Sequence, residues 1–137
     1  MPKYKTNQKI RNLLYLIFAT LILAGTCLIS LGLYVRGEAT KAGQMWSSIP
    51  NETGSCYLNT YVRKYSSMGA LGRIARLFGS EFYYRIYSKQ GELLKTSEWT
   101  LWETELGAEQ SAYWIHGSAM FLTTDGLKDW DLQDCNK

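Results

Sequence analysis

The pattern of hydrophobic and polar positions divides the chain into one long apolar run and a following region of short alternating segments. Residues 13–35 form a stretch of 23 residues without a single charge. As a helix this stretch is about 35 Å long, which exceeds the roughly 30 Å of a bilayer's hydrocarbon core. The pattern therefore predicts a transmembrane helix at 13–35, preceded by a basic segment at 1–12.

Two other interpretations of the apolar run are open. A cleaved signal peptide has a shorter apolar core, of about 7–15 residues, and ends at small residues. This run is longer and ends at Leu33-Tyr34-Val35-Arg36. A lipoprotein acylated at Cys27 is the second alternative, but Thr26 is a poor residue before the cysteine and the apolar run continues past it. The length favours an uncleaved anchor.

Two alternating segments on either side of a tight turn give the clearest local pattern. Residues 81–88 are rich in aromatic residues, residues 89–91 form a tight turn that contains a glycine, and residues 92–99 follow as the return strand. This arrangement predicts a β-hairpin. On the first strand, positions 82, 84 and 86 share one face, and Tyr83, Arg85 and Tyr87 share the other.

The rest of the region beyond the anchor is also mostly β-prone. Residues 56–65 and 127–132 read as strands, and 111–124 as two strands or as one strand bent at Gly117. Residues 66–80 change to a helical period, with Leu71, Ile74 and Phe78 on one face, although three glycines limit any helix to about two turns.

These elements predict an α+β fold: an N-terminal transmembrane helix followed by a small antiparallel β-meander domain of four to six strands with one or two short helices. The domain is expected at 56–137. Residues 36–55 are expected to form a stalk or linker, because helix formers are followed by Pro50 and a turn-rich stretch. This stretch contains a glycosylation sequon at Asn51.

Charge predicts which way the anchor is oriented. The first 11 positions hold four basic residues and no acid, whereas 36–137 hold 11 Lys/Arg against 12 Asp/Glu. The positive-inside bias places the N-terminus in the cytoplasm and the domain across the membrane. A nearly neutral domain also argues against nucleic acid as a partner.

The cysteines fit this orientation. Outside the anchor only Cys56 and Cys135 remain, and both would lie on the oxidising side of the membrane. We expect a disulfide between them, with Cα atoms within about 7 Å, and two free thiols as the alternative.

Candidate catalytic and metal-binding residues are sparse. His116 is the sole histidine, the four aspartates at 125–134 lack the spacing of a calcium loop, and Glu103 with Glu105 more simply form an acidic loop than a glycosidase pair. We therefore expect no enzymatic activity, no cofactor, no metal and no small-molecule substrate.

Aromatic content is the feature that points to a function. All five tryptophans and seven tyrosines lie beyond the apolar run, more than one small core is expected to bury. Tyrosine and tryptophan beside charge are typical of protein-recognition surfaces. The candidate binding residues are Tyr61, Tyr83, Tyr87, Trp102, Glu103 and Glu105.

The hairpin sequence F-Y-Y-R-I-Y-S-K-Q-G-E-L-L-K-T-S-E-W at 82–99, with R-L-F at 76–78 and W-D-L at 130–132, carries a resemblance. Together with the preceding strand it resembles a family of short uncharacterised enterobacterial proteins that join one hydrophobic segment to a small β-rich domain. The general plan is similar to that of membrane-anchored toxin immunity proteins. The resemblance implies a bacterial inner-membrane protein with a periplasmic domain.

Three functions follow as hypotheses. The first is an immunity protein that binds and neutralises a secreted, type VI-like antibacterial toxin. The second is a structural or accessory subunit of an envelope or secretion complex. The third is a small hydrolase, which would need His116 as a catalytic residue.

Overall fold

The computed structural model describes residues 3–100 and 112–136, and the chain divides into two compact units, Met1–Tyr34 and Val35–Lys137. Helix α1 (Lys3–Lys41) provides the described part of the first unit and continues into the second. It is long and apolar enough to cross a membrane. Its most apolar 18-residue window has a mean hydropathy of 2.3, and none of that window is buried.

The hydroxyl groups of two threonines in the apolar run find partners within α1 itself. Thr20 donates to the carbonyl oxygen of Ile17, and Thr26 to that of Leu23, each at 2.8 Å. Hydrocarbon offers no water to such groups, so a hydroxyl inside a bilayer needs a protein acceptor. Both side chains therefore meet the requirement of a lipid environment without help from another segment.

The second unit contains a four-stranded antiparallel sheet in the order β1-β2-β3-β4. Its strands are β1 (Gln44–Pro50), β2 (Cys56–Val62), β3 (Phe82–Ser88) and β4 (Leu93–Thr96). The expected hairpin is confirmed as β3–β4. Its turn closes through hydrogen bonds between Ser88 and Glu92 and between Gly91 and Ser88, both 2.9 Å, and Gly91 has a φ of 87° that favours glycine.

The expectation that residues 36–55 form a stalk or linker is wrong. The chain leaves α1 at Lys41 and enters β1 only three residues later, at Gln44. β1 pairs along β2 from Gln44↔Val62 to Pro50↔Tyr57, with a bulge between Met45 and Ser47. Its helix-forming residues adopt the strand conformation because β2 supplies partners for the main chain, which local propensity does not register.

A second, three-stranded antiparallel sheet in the order β5-β6-β7 follows residue 111. It consists of β5 (Ala112–Ile115), β6 (Ser118–Thr123) and β7 (Gly126–Asp131). Between β5 and β6, His116 and Gly117 have φ values of 47° and 80°, so the chain turns back and makes two strands rather than one bent strand. The described residues thus hold seven strands in two sheets, more than the four to six expected.

The main core lies between the two sheets. The first sheet contributes Leu58, Tyr84 and Ile86, and the second contributes Ala119 and Phe121, all of them buried. The Tyr84 and Phe121 rings lie 4.7 Å apart between centroids. The inward-facing set on β3 is the one that the alternation predicts, except that Phe82 at its end is only half-buried.

One end of the first sheet is closed by a disulfide bond. Cys56 and Cys135 are bonded, with a Cα–Cα distance of 5.5 Å, which confirms the expected pairing. Asn51 supports it: its Nδ2 donates to the Cys135 carbonyl oxygen at 2.8 Å, and its Oδ1 accepts from the Cys56 main-chain N–H at 3.1 Å. Because Asn51 is buried and its amide nitrogen is occupied, the sequon cannot carry a glycan in this fold.

Arg63 organises the other end of the same sheet. This arginine is 3% exposed, and its Nε donates to the Thr40 hydroxyl oxygen at 3.0 Å. Its Nη1 donates to the carbonyl oxygens of Ser80 and Phe82, at 2.9 and 2.8 Å. Its Nη2 donates to that of Glu98 at 2.9 Å. One guanidinium thus ties the end of α1 to two separate stretches of main chain, at residues 80–82 and at Glu98.

The predicted short helix is α2 (Gly69–Arg76), preceded by a 3-10 helix at Tyr65–Met68. Gly72, not an apolar side chain, faces the interior: a Cβ there would lie 1.8 Å from the Tyr65 carbonyl oxygen, so only glycine permits this approach. The apolar face that periodicity identifies points to solvent. Those exposed side chains are Leu71, Ile74 and Phe78.

Candidate binding surface

Alternate residues of β2 and β3 form the sheet face that turns away from the core. The register pairs Tyr57 with Tyr87, Asn59 with Arg85 and Tyr61 with Tyr83. Directly opposed residues of an antiparallel pair share a face, so these side chains lie together. We call Tyr61, Tyr83, Arg85 and Tyr87 the tyrosine face.

The rings and the guanidinium of the tyrosine face stack on one another. The Tyr61 and Tyr83 rings are nearly parallel, 12° apart in plane and 5.1 Å between centroids. The Arg85 guanidinium lies 5.3 Å from the Tyr61 centroid and 5.2 Å from that of Tyr83. Arg85 is fixed in turn by an ion pair with Glu98 at 2.7 Å. Cation–π contacts and the ion pair together hold these side chains in one arrangement.

Only part of the tyrosine face is open to a partner. Tyr61 and Tyr87 are half-buried and keep solvent-accessible surface that a partner could contact, whereas Tyr83 is 1% exposed. The expectation that Tyr83 is a displayed contact is therefore wrong. Its hydroxyl donates to the Thr40 carbonyl oxygen at 3.3 Å, and Arg63 lies 4.8 Å from its ring centroid, so the end of α1 covers it.

The surroundings of Tyr83 and Tyr87 raise the pKa of both side chains. Burial raises the pKa of Tyr83 above its ordinary value of 10.0. The pKa of Tyr87 is raised first by burial and then by its hydrogen bond with Tyr61. Burial opposes the charge of Arg85, but its hydrogen bonds to Glu98 and Tyr87 raise its pKa overall. Tyr83 and Tyr87 are thus held as neutral phenols beside the cation of Arg85.

Two further arginine contacts position the segment that leads to the acidic region. Arg36, which is 8% exposed, donates through Nη2 to the carbonyl oxygens of Glu98 and Thr100 at 3.2 and 2.6 Å. Arg63 also holds the Glu98 carbonyl oxygen. The remaining candidate residues, Trp102, Glu103 and Glu105, lie outside the described residues.

Sequence reasoning missed two contributors next to the tyrosine face. Met45 and Trp46 are 58% and 64% exposed on β1, and Met45 is paired with Tyr61. The residues proposed from the sequence also omitted Arg85, although the alternation on β3 places this residue between Tyr83 and Tyr87. The signal for Arg85 was present in the sequence, whereas that for Met45 and Trp46 required β1 to be recognised as a strand.

The hydrolase candidate His116 lies in the β5–β6 turn and is exposed. Within residues 3–100 and 112–136, no group of three or more His, Cys, Asp or Glu side chains is placed to hold a metal ion. The tyrosine face itself contains stacked rings, a guanidinium and neutral hydroxyls. These groups can bind by stacking and hydrogen bonding, but they include no general base or nucleophile at an ordinary pH.

No family model matches the chain, and no curated protein or solved structure is detectably similar to it.

Proposed function

We propose that the protein is a membrane-anchored periplasmic binding module, an immunity protein that docks on a secreted antibacterial toxin and neutralises it. The observation that carries the proposal is the tyrosine face, on which half-buried Tyr61 and Tyr87 stand beside Arg85 in an arrangement already fixed by stacking. The resemblance in general plan to membrane-anchored immunity proteins adds to it.

Two observations support the periplasmic side. Basic residues precede the apolar helix and none of the acids do, which is the charge bias of a cytoplasmic N-terminus. The Cys56–Cys135 disulfide belongs to an oxidising compartment. The domain and the disulfide would then lie on the same side of the inner membrane.

The composition of the tyrosine face suits a protein partner. Tyrosine and arginine dominate binding hot spots, because each offers a large contact area together with hydrogen-bonding groups. Fixing a free side chain costs about 0.5–1.5 kcal/mol on binding. Arg85 is already held by Glu98 and by two rings, so much of that cost is met before a partner arrives.

The test uses the full chain, produced in a bacterium together with secreted products of adjacent genes that are toxic in the periplasm. Tyr87→Ala should weaken the complex with such a toxin by about tenfold or more, as truncation of a hot spot does, and should reduce protection. Tyr113→Ala is the matched control, because Tyr113 is an exposed tyrosine on the outer side of the second sheet.

Equal binding by the two variants would refute the tyrosine face as the docking surface. A stable assembly with envelope or secretion components, with no toxin bound, would instead favour the accessory-subunit hypothesis. Wild-type melting temperatures for both variants exclude misfolding as the cause of any loss.

A further inference from the structure

Helix α2 and the two residues that follow it expose apolar side chains that no described residue covers. Leu71 and Ile74 of the helix are exposed, and Leu77 and Phe78, which directly follow it, are 78% and 86% exposed. Four large apolar side chains on eight consecutive positions are more than the scattered exposure of an ordinary surface. This cluster therefore marks a surface that meets something other than water.

The position of α2 along the chain identifies what it meets. Its covered side packs with Tyr65 against Val35 and Ala39 of α1, and the Lys64 main-chain N–H donates to the Ala39 carbonyl oxygen at 2.9 Å. Val35 directly follows the last residue of the apolar first unit. The rise from Val35 to Ala39 is only about 6 Å, so α2 is held within about one helical turn of the end of the apolar run.

Basic side chains accompany the apolar ones. A cavity of about 340 Å³ beside α2 is lined by Lys64, Arg73 and Arg76, and Glu81 is the acid among its lining residues. Arg76 forms an ion pair with Glu81, and Arg73 is exposed and forms no ion pair within the described ranges. The excess of positive charge matches the phosphates of anionic lipid headgroups.

We propose that α2 lies in the headgroup layer of the membrane that α1 crosses, with Leu71, Ile74, Leu77 and Phe78 inserted among the lipids and Arg73 facing their phosphates. The inference rests on the anchoring part of the proposed function and is independent of the toxin. An apolar face flanked by arginine is the composition of interfacial helices. Eight residues are too few to form a stable helix alone in water. Here the close packing of Gly72 on Tyr65 keeps the helix formed before it reaches a membrane.

The lipid surface accounts for the arrangement better than a protein partner does, because covalent continuity with the anchor brings α2 to the membrane in every molecule. No second chain is needed to cover the apolar side chains. Inserting them would also fix the height of the domain above the membrane.

The experiment reconstitutes the full chain into vesicles of phosphatidylcholine with phosphatidylglycerol, in a Cys27→Ser background that leaves the disulfide as the remaining cysteine pair. Single environment-sensitive labels are placed through Phe78→Cys, Gln90→Cys and Leu23→Cys. Spin-labelled lipids then report which labels touch the bilayer. Gln90 is the matched control, an exposed position in the β3–β4 turn, and Leu23 reports the anchor.

We expect the label at position 78 to be quenched by lipids spin-labelled near the headgroup, that at 23 by lipids labelled deep in the chains, and that at 90 by neither. Quenching at 23 with equal, weak quenching at 78 and 90 would overturn the inference while leaving the anchor intact. If the label at position 23 is not quenched by the deep spin labels, the membrane-spanning role of α1 and the inference about α2 are both overturned. A label at 78 that is shielded from water but not quenched by lipid would point to a second protein chain and also overturn it.

The charge is tested separately with Arg73→Gln. In anionic vesicles this variant should reduce the quenching at position 78, and in vesicles of phosphatidylcholine alone it should leave the quenching unchanged. Equal effects in the two lipids would contradict the role of Arg73 in headgroup binding.

Discussion

At one end of β2, Cys56 is bonded to Cys135 and both are held by the amide of Asn51, whereas just beyond the other end the Arg63 guanidinium binds main-chain carbonyl oxygens. The two ends are about 20 Å apart, since β2 has seven residues. The first end is fixed by a covalent bond and the second by a buried charge. Both hold chain segments that are distant in sequence.

The two ends of the sheet are therefore stabilised by different interactions, and each interaction is lost under different conditions. A disulfide stabilises mainly by restricting the unfolded chain, and it is lost under reducing conditions. Buried charge-assisted hydrogen bonds act in the folded state, and they fail when one partner leaves the others unsatisfied. The tyrosine face spans the distance between the two ends.

Removing the disulfide should give the largest effect. We expect Cys56→Ala with Cys135→Ala to lower the free energy of unfolding by about 4–5 kcal/mol, because the closed loop is long. The measurement is urea unfolding of the full chain in detergent micelles. Cys27→Ala is the matched control, and a loss below about 1 kcal/mol would show that Asn51 and the core suffice at that end.

Arg63→Ala should give the next largest effect, a loss of about 2–4 kcal/mol, because four charge-assisted hydrogen bonds of a buried guanidinium are lost together. The same unfolding experiment measures it, with Arg73→Ala as an exposed control of the same charge. Combined with the cysteine variant, the two losses should add, since the sites are far apart. Strong non-additivity would mean that the two ends are coupled through the tyrosine face.

The smallest effect is expected at Tyr83, and it depends on pH. Because burial raises the pKa of Tyr83 in the folded state, the stability it contributes is complete below pH 10.0 and is lost as the pH rises through the folded pKa. Tyr83→Phe should cost about 0.5–1.5 kcal/mol at neutral pH, for the hydrogen bond to Thr40, and flatten the fall above pH 10.

Tyr113→Phe, at an exposed tyrosine, is the control for the pH series. An alkaline fall in stability that is as steep in Tyr83→Phe as in the unmodified chain would contradict the assignment to Tyr83.

The parts of the fold that the sequence predicts correctly rest on local patterns. The β3–β4 hairpin follows from alternation on its first strand and a glycine turn, and the disulfide from the number of cysteines and the compartment that the charge pattern predicts for them. The strand β1 was missed because Gln44, Met45 and the two serines do not favour a strand by themselves, and pairing with β2 makes the segment one. Local propensity cannot register a pairing of that kind.

The direction in which a face of a helix or strand points was the second feature that the sequence did not predict. Periodicity showed that α2 has an apolar face, but not that the close approach of Gly72 to Tyr65 would turn this face outward. Alternation placed Tyr83 and Tyr87 on one side of β3, yet the end of α1 covers only Tyr83. The buried role of Arg63 depends on three carbonyl groups from two distant stretches, which no pattern in the sequence brings together.

The bond between Cys56 and Cys135 also closes a covalent ring that includes nearly the whole domain. A single proteolytic cut anywhere between these two residues would open the ring without releasing a fragment. Both pieces would stay attached to α1, and they would separate on a denaturing gel only after reduction. A chain cut once in this way would therefore keep both of its pieces on α1.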